Sequence, residues 1–245
     1  MNNRLIRILI SLLATIILMF LLVSITPNEN PARLLVMFGG TMPEGLIQGF
    51  TYFLFFWGML EVFNINKRLD YEKDALSAKL LPEKDNWILA PDDVNQLKLN
   101  MQKLEHSQQF FLSDLIKKAC TKYRLSKSSS EVLGLVDSQI NIYRSQIDSE
   151  QSFIRYTAWA IPSVGFIGTV LGIAAALGYA DQAGTTEGLK KVTDMLGVAF
   201  DTTLVALLLS IVLMFGIHYI DKKQEELFSS MSSYMNENLI NRFYK

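Results

Sequence analysis

One carboxylate and a few hydroxyls carry what chemistry this chain can do. Asp201 lies about a turn inside an apolar run, 196–220, in which it is the single acidic residue. An ionised carboxylate at that depth costs a few kcal/mol, so an acid there marks an ion pathway by default. The other reading is an acid at the start of a helix, at the water interface. Thr202 and Thr203 follow Asp201 directly, and neighbouring threonines cannot share one face, so one of the two points into any pore. Ser210 lies further along the same run. In a second run, 156–180, which holds no charge at all, Thr169 stands seven residues after Pro162, two turns on along the same face. Its hydroxyl either bonds back to a helix carbonyl or lines a wet path. Pro162 has no N–H and frees the carbonyl near Ala158. Such a gap is tolerable in lipid only where protein or water satisfies that carbonyl. Gly165, Gly168, Gly172, Ala175 and Ala176 recur at helical spacing, a small-residue stripe that lets helix backbones approach closely.

The elements that must position these groups are membrane spans. The chain has 245 residues, half of them apolar and 19% charged, with a mean hydropathy of +0.22. That charge content is below the roughly 25% of soluble domains. Four apolar stretches are long enough for a hydrocarbon core of roughly 30 Å: 1–26, 45–64, 156–180 and 196–220. The first is too long for a signal-peptide core and lacks a small-residue cleavage site. In the second, Thr41, Pro43 and Glu44 have capping-box spacing with proline in the first turn, which predicts a helix start there. Glu61 and His218 lie near span ends and read as interfacial. Twenty of the 23 lysines and arginines fall in the amino end, the segment 65–155 and the carboxyl end. Only Arg33, Lys190 and Lys191 fall in the connections 27–44 and 181–195. By the positive-inside rule both termini and the large segment are cytoplasmic, and those two connections are periplasmic loops. The fold class is therefore an all-α, multi-pass integral membrane protein. It has four transmembrane helices and long cytoplasmic helical extensions between the second and third.

The cytoplasmic segment carries two apolar stripes. Val94, Leu97, Met101, Leu104, Phe111 and Leu115 form a heptad-like stripe with a polar gap at Gln108. A break at 125–130 follows, where Ser128 and Glu131 have capping-box spacing for a new helix. Leu133, Val136, Ile140, Tyr143, Ile147 and Ile154 then form a second stripe that leads into the third span. Packing within the chain and packing against neighbouring copies as a stalk both fit, and the stalk is the expectation. Residues 221–245 form a short cytoplasmic tail.

Several functions are excluded by composition. A net charge of −1 leaves no nucleic-acid footprint over the chain. One cysteine, Cys120, and two histidines, His106 and His218, exclude a disulfide framework or a cysteine-rich zinc site. No nucleotide-binding, zinc-protease or nucleophile-elbow motif occurs, so no enzyme activity, cofactor or metal is expected.

With these residues assembled, a resemblance is visible. The run from Pro162 to Ile173, with its Gly-Phe-Ile-Gly-Thr-Val-Leu-Gly core, resembles the third-span signature of the MotA/TolQ/ExbB proton-channel proteins. Ala199-Phe200-Asp201-Thr202-Thr203-Leu204 is similar to the matching final span. The resemblance covers roughly residues 131–220, and the four-span layout is that of the flagellar branch. It implies a homopentamer around two helices of a smaller single-span partner of the MotB/TolR/ExbD type, which carries a membrane aspartate. It implies proton passage coupled to rotation in a stator-type unit, driven by the proton motive force, with the work done elsewhere: in flagella, outer-membrane import, envelope maintenance or phage defence. By position, Thr169 would face the partner's aspartate, Pro162 would match the flagellar proline and Asp201 the acid of the import branch. Thr202 and Thr203 would lie around the conduit. One turn beyond Asp201 the family pattern expects a threonine, but Ala206 and Leu207 stand there, with Ser210 as the substitute. The function expected is a ring-forming subunit of an inner-membrane proton-driven motor. The alternative is a structural membrane scaffold that recruits partners through its cytoplasmic helices.

Overall fold

Residues 2–27, 32–43, 45–82, 88–105 and 109–243 are described by the structure, a computed structural model. They form helices α1 (Asn2–Ile25), α2 (Arg33–Met37), α3 (Leu46–Ser77), α4 (Pro91–Glu105), α5 (Phe111–Ser126), α6 (Ser129–Leu177) and α7 (Thr186–Asn238). Short 3₁₀ turns lie at Ala180–Gln182 and Ile240–Arg242. Among the described residues there is no sheet, only an isolated parallel bridge between Leu89 and Phe243. Four helices, α1, α3, α6 and α7, are long and apolar enough to cross a membrane. The chain is an all-helical membrane protein.

Local chemistry explains most boundaries. The Glu131 N–H donates to Ser128 Oγ at 3.4 Å, the capping contact expected where α6 begins. Lys127, at φ +51°, closes α5 in the left-handed region, and its N–H donates to the Tyr123 carbonyl at 2.8 Å. The helix expected to start around Thr41 begins instead at Leu46. The Met42–Pro43 bond before it is cis, and the Gly45 N–H donates to the Thr41 carbonyl at 2.8 Å. The chain doubles back so tightly that a Cβ on Gly45 would lie 2.2 Å from the Gly39 carbonyl oxygen. Glu44, the other half of that capping box, lies outside the described residues. At the other connection α7 begins at Thr186, inside the stretch 181–195 read as a loop.

The chain divides into two compact units, Met1–Phe63 with Ser152–His218 and Asn64–Gln151 with Tyr219–Lys245. The first is built from α1, the early part of α3, the later part of α6 and most of α7. Its small interior cluster is Met19, Tyr52 and Val205, with Leu22, Met37 and Phe56 packed against it. Its outer faces are apolar, with Phe20 74% and Phe215 76% exposed. Surfaces of that kind are costly in water and suited to lipid. Trp57 meets Phe153 at a tilt, with centroids 4.4 Å apart and 47° between the ring planes. Arg7 Nε donates to Glu61 Oε1 at 3.0 Å, so Glu61 is a buried ion-paired group and not a free interfacial one. His218 is exposed.

In the second unit the α6 stripe is buried at Val132, Val136, Ile140, Tyr143 and Ile147. Leu133, expected in that stripe, is 37% exposed, because steps of four and three back from Ile147 reach Val132, one residue and about 100° away. The earlier stripe is not one helix. It is divided between α4 and α5, which pack on each other, and the gap residue Gln108 lies outside the described residues. The carboxyl-terminal tail is the end of α7, with Phe228, Met231 and Met235 buried. Tyr143 stacks on Phe111 at 4.5 Å, and its hydroxyl donates to Asp114 Oδ2 at 2.5 Å. Gln151 Nε2 donates to Gln224 Oε1 at 2.7 Å. The expected cover by neighbouring copies is thus met from within the chain, since apolar side chains of α5 and the α7 tail share this interior with α6.

Candidate functional site

The glycine stripe of α6 builds a seam against α7. A Cβ placed on Gly165 would lie 2.5 Å from Ala206 Cβ. One on Gly168 would lie 2.5 Å from Thr202 Oγ1, and one on Gly172 would lie 2.7 Å from Ala199 Cβ. Three glycines on one helix thus oppose Ala199, Thr202 and Ala206 on the other, in antiparallel register. Neither backbone could come so close with larger residues present.

That approach brings hydroxyls of both helices together. Thr169 Oγ1 contacts Thr203 Oγ1, and it also lies 2.9 Å from the Ala199 carbonyl oxygen. Thr203 Oγ1 lies 2.9 Å from the Gly165 carbonyl oxygen. Thr202 Oγ1 lies beside the pair, 2.9 Å from the Ala199 carbonyl oxygen of its own helix and 3.4 Å from the Gly165 carbonyl oxygen across the seam. Each hydroxyl has one proton and can accept as well as donate. The pair therefore supports two proton orders. In one, Thr169 donates to Thr203 and Thr203 donates to Gly165. In the other, Thr203 donates to Thr169 and Thr169 donates to Ala199. A chain of this kind relays or orients a proton in either direction, but hydroxyls do not store one at neutral pH.

Asp201 is not part of that seam. Two residues separate it from Thr203, about 200° around the helix, so it faces the opposite side of α7. There it forms a bidentate pair with Arg33 of α2. Nη2 donates to Oδ1 at 2.9 Å, and Nη1 donates to Oδ2. The Asp201 side chain is 5% exposed and the Arg33 side chain 64%.

Ser210 lies further along α7 and faces α6. Its Oγ donates to the Ala158 carbonyl at 3.0 Å. Ala158 is four residues before Pro162 and is the carbonyl that Pro162 cannot serve. Ser210 thus supplies from α7 the donor that α6 lacks. The sequence-derived set therefore separates into three. Thr169 and Thr203 meet at the seam beside Thr202; Asp201 binds Arg33; Ser210 serves the proline gap. Sequence reasoning passed over Arg33 and Arg7 as partners for Asp201 and Glu61. The available signal was a lone arginine in the connection 27–44, beside a span carrying an unpaired acid. Among the described residues no cluster of histidine, cysteine or carboxylates could hold a metal ion.

The sequence model described as the MotA/TolQ/ExbB proton channel family matches residues 105–233. That stretch includes the seam, Asp201 and Ser210. No curated protein and no solved structure matches the chain.

Proposed function

The chain belongs to the MotA/TolQ/ExbB proton channel family, and from that membership we propose that it is the ring-forming subunit of a proton-driven motor in a bacterial inner membrane. As a member it is a proton channel or motor-type membrane subunit, of a family whose proteins are channel and transport components and not classical enzymes. In the proposed complex, copies of the chain, five in the arrangement the resemblance implies, surround a single-span partner with a membrane aspartate.

One observation supports the partner in particular. The Thr169–Thr203 pair can pass a proton but cannot hold one, and both carboxylates within the apolar runs, Glu61 and Asp201, are occupied by arginines. A transported proton needs a titratable group that alternates between states, and in this reading that group is the partner's aspartate. A carboxylate brought against the hydroxyls is stabilised as the anion while they donate to it, and its pKa rises when it moves to a dry, apolar part of the ring. Each charge crossing a potential of 100 mV releases about 2.3 kcal/mol. Identical subunits around an asymmetric partner present inequivalent sites in turn, so successive protonation biases motion in one direction.

The test is co-expression with a single-span neighbour, followed by proton flux measured with a pH-sensitive dye in proteoliposomes. Flux is expected only with both chains present. Thr169→Val and Thr203→Val are expected to lower flux per assembled complex without loss of assembly. Full flux in both variants would sink the relay. A chain that assembles without any partner, and whose function depends on the second unit alone, would move the assignment to a scaffold.

A further inference from the structure

We propose that Arg33 is a positioning residue for the seam. Through its pair with Asp201, the short helix α2 sets the rotation of α7 about its own axis, and Asp201 serves as the anchor of that pair. The proposal rests on the relay reading only for its transport readout.

The connection that carries Arg33 is built to hold it in place. The Tyr52 hydroxyl donates to the Phe38 carbonyl at 2.9 Å, just after α2 ends. Gly40 packs so closely on Thr26 that a Cβ there would lie 2.1 Å from Thr26 Oγ1. The Gly40 N–H donates to the Leu35 carbonyl at 2.8 Å. These contacts fix α2 against the ends of α1 and α3. Its arginine then grips α7 by two points on one carboxylate, which resists rotation as a single contact would not. About half a turn round α7 from Asp201, Thr203 must face Gly165 and Thr169. A helix turned by even one residue, about 100°, would remove Thr203 from the seam. Holding Asp201 on one side therefore aims Thr203 on the other.

The burial of the two partners is unequal, and that asymmetry separates this role from proton carrying. Asp201 is enclosed, whereas most of the Arg33 side chain is exposed. Removing the arginine strands a buried anion, the costly way to break a pair. Removing the carboxylate leaves a cation that reaches polar surroundings. Arg33→Gln is therefore expected to be the worse variant, with flux per assembled complex down at least about tenfold. Asp201→Asn releases the two-point grip without stranding a charge and is expected to lower flux about threefold, and Arg33→Gln/Asp201→Asn to return to that level and not to that of the unmodified chain.

The experiment uses the full chain co-expressed with its single-span neighbour and measures proton flux per assembled complex, alongside thermal unfolding in detergent. Lowered flux in all three variants, with Arg33→Gln the worst and Asp201→Asn lifting it only to its own level, supports the lock, and unchanged flux in the double variant overturns it. The proposal is overturned if Asp201→Asn abolishes flux in assembled complexes and the double variant stays inactive, because Asp201 then carries the ion. Equal unfolding temperatures for Arg33→Gln and Asp201→Asn would also overturn it. If the unmodified complex passes no protons, the relay reading fails by itself. The order of unfolding temperatures then still decides whether Arg33 holds α7.

Discussion

Replacing Ser210 by alanine tests the packing of the seam at one atom. The Ala158 carbonyl receives its hydrogen bond from Ser210 Oγ at 3.0 Å, because Pro162 offers no N–H. Ser210→Ala leaves that buried carbonyl without this donor. A stranded polar group in a protein interior costs about 1–3 kcal/mol. Side-chain hydrogen bonds between membrane helices average about 0.6 kcal/mol and reach about 1.7. The expected loss is therefore about 1–1.5 kcal/mol, between the two ranges. Pro162→Ala restores a backbone N–H four residues after Ala158, and the straightened helix can then serve its own carbonyl. In that background Ser210→Ala should cost only a few tenths of a kcal/mol, a coupling of about 1 kcal/mol between the two sites. Reversible unfolding of the full chain in mixed micelles, run on all four variants, measures the cycle. An equal cost for Ser210→Ala with proline or alanine at 162 would refute the reasoning, since the serine would then not be answering the proline.

Three further outcomes follow from other parts of the molecule. Gly168→Ala should shift the unfolding midpoint down strongly, because its Cβ would stand 2.5 Å from Thr202 Oγ1, whereas Gly134→Ala, with nothing near its Cβ, should stabilise α6 by about 0.5–1 kcal/mol. Similar midpoints for the two would contradict the seam. Burial pushes the Cys120 thiol up to about 12 against the nearby Lys98 charge, so its alkylation at pH 8 should be slow in the folded chain and fast after denaturation, read by mass spectrometry. Burial works to raise the Asp114 carboxyl, but hydrogen bonds from Lys118, Tyr143 and Lys117 prevail and hold it below its usual 3.8. The stability this contributes is present above that value and is lost as the pH falls through the lower folded value. Asp114→Asn should therefore cost about 1–2 kcal/mol in chemical denaturation at pH 7 and almost nothing at the acid end of the profile.

The amount of fold legible in the sequence varied with the kind of signal. Long apolar runs announced α1, α3, α6 and α7, because a span needs roughly 20 apolar residues and few soluble elements supply them. The Ser128–Glu131 cap and the stripe from Val136 to Ile147 were legible for a local reason, since both depend on side chains within a turn or two of each other. The start of α3 was not, because the fold-back of Gly45 onto Gly39 competes with the capping pattern at Thr41. Leu133 and Val132 are equally apolar, and only the neighbours that α6 meets choose between them.

The candidate site divides in the same way. Sequence alone determined that Thr169, the glycine stripe, Asp201 and Ser210 lie in spans, and that Pro162 leaves a carbonyl in need of a donor. Those statements follow from helical periodicity and from the hydrogen-bonding capacity of each residue. Which donor answers Ala158, which threonine meets Thr169 and which cation answers Asp201 were decided only in the tertiary structure. Ser210 is 52 positions from Ala158, Thr203 is 34 from Thr169, and Arg33 is 168 from Asp201. Contacts over such separations are fixed by the register of α6 on α7 and by where α2 is held. No local pattern encodes that register, because the same residues a few positions along either helix would present the same composition to a different neighbour.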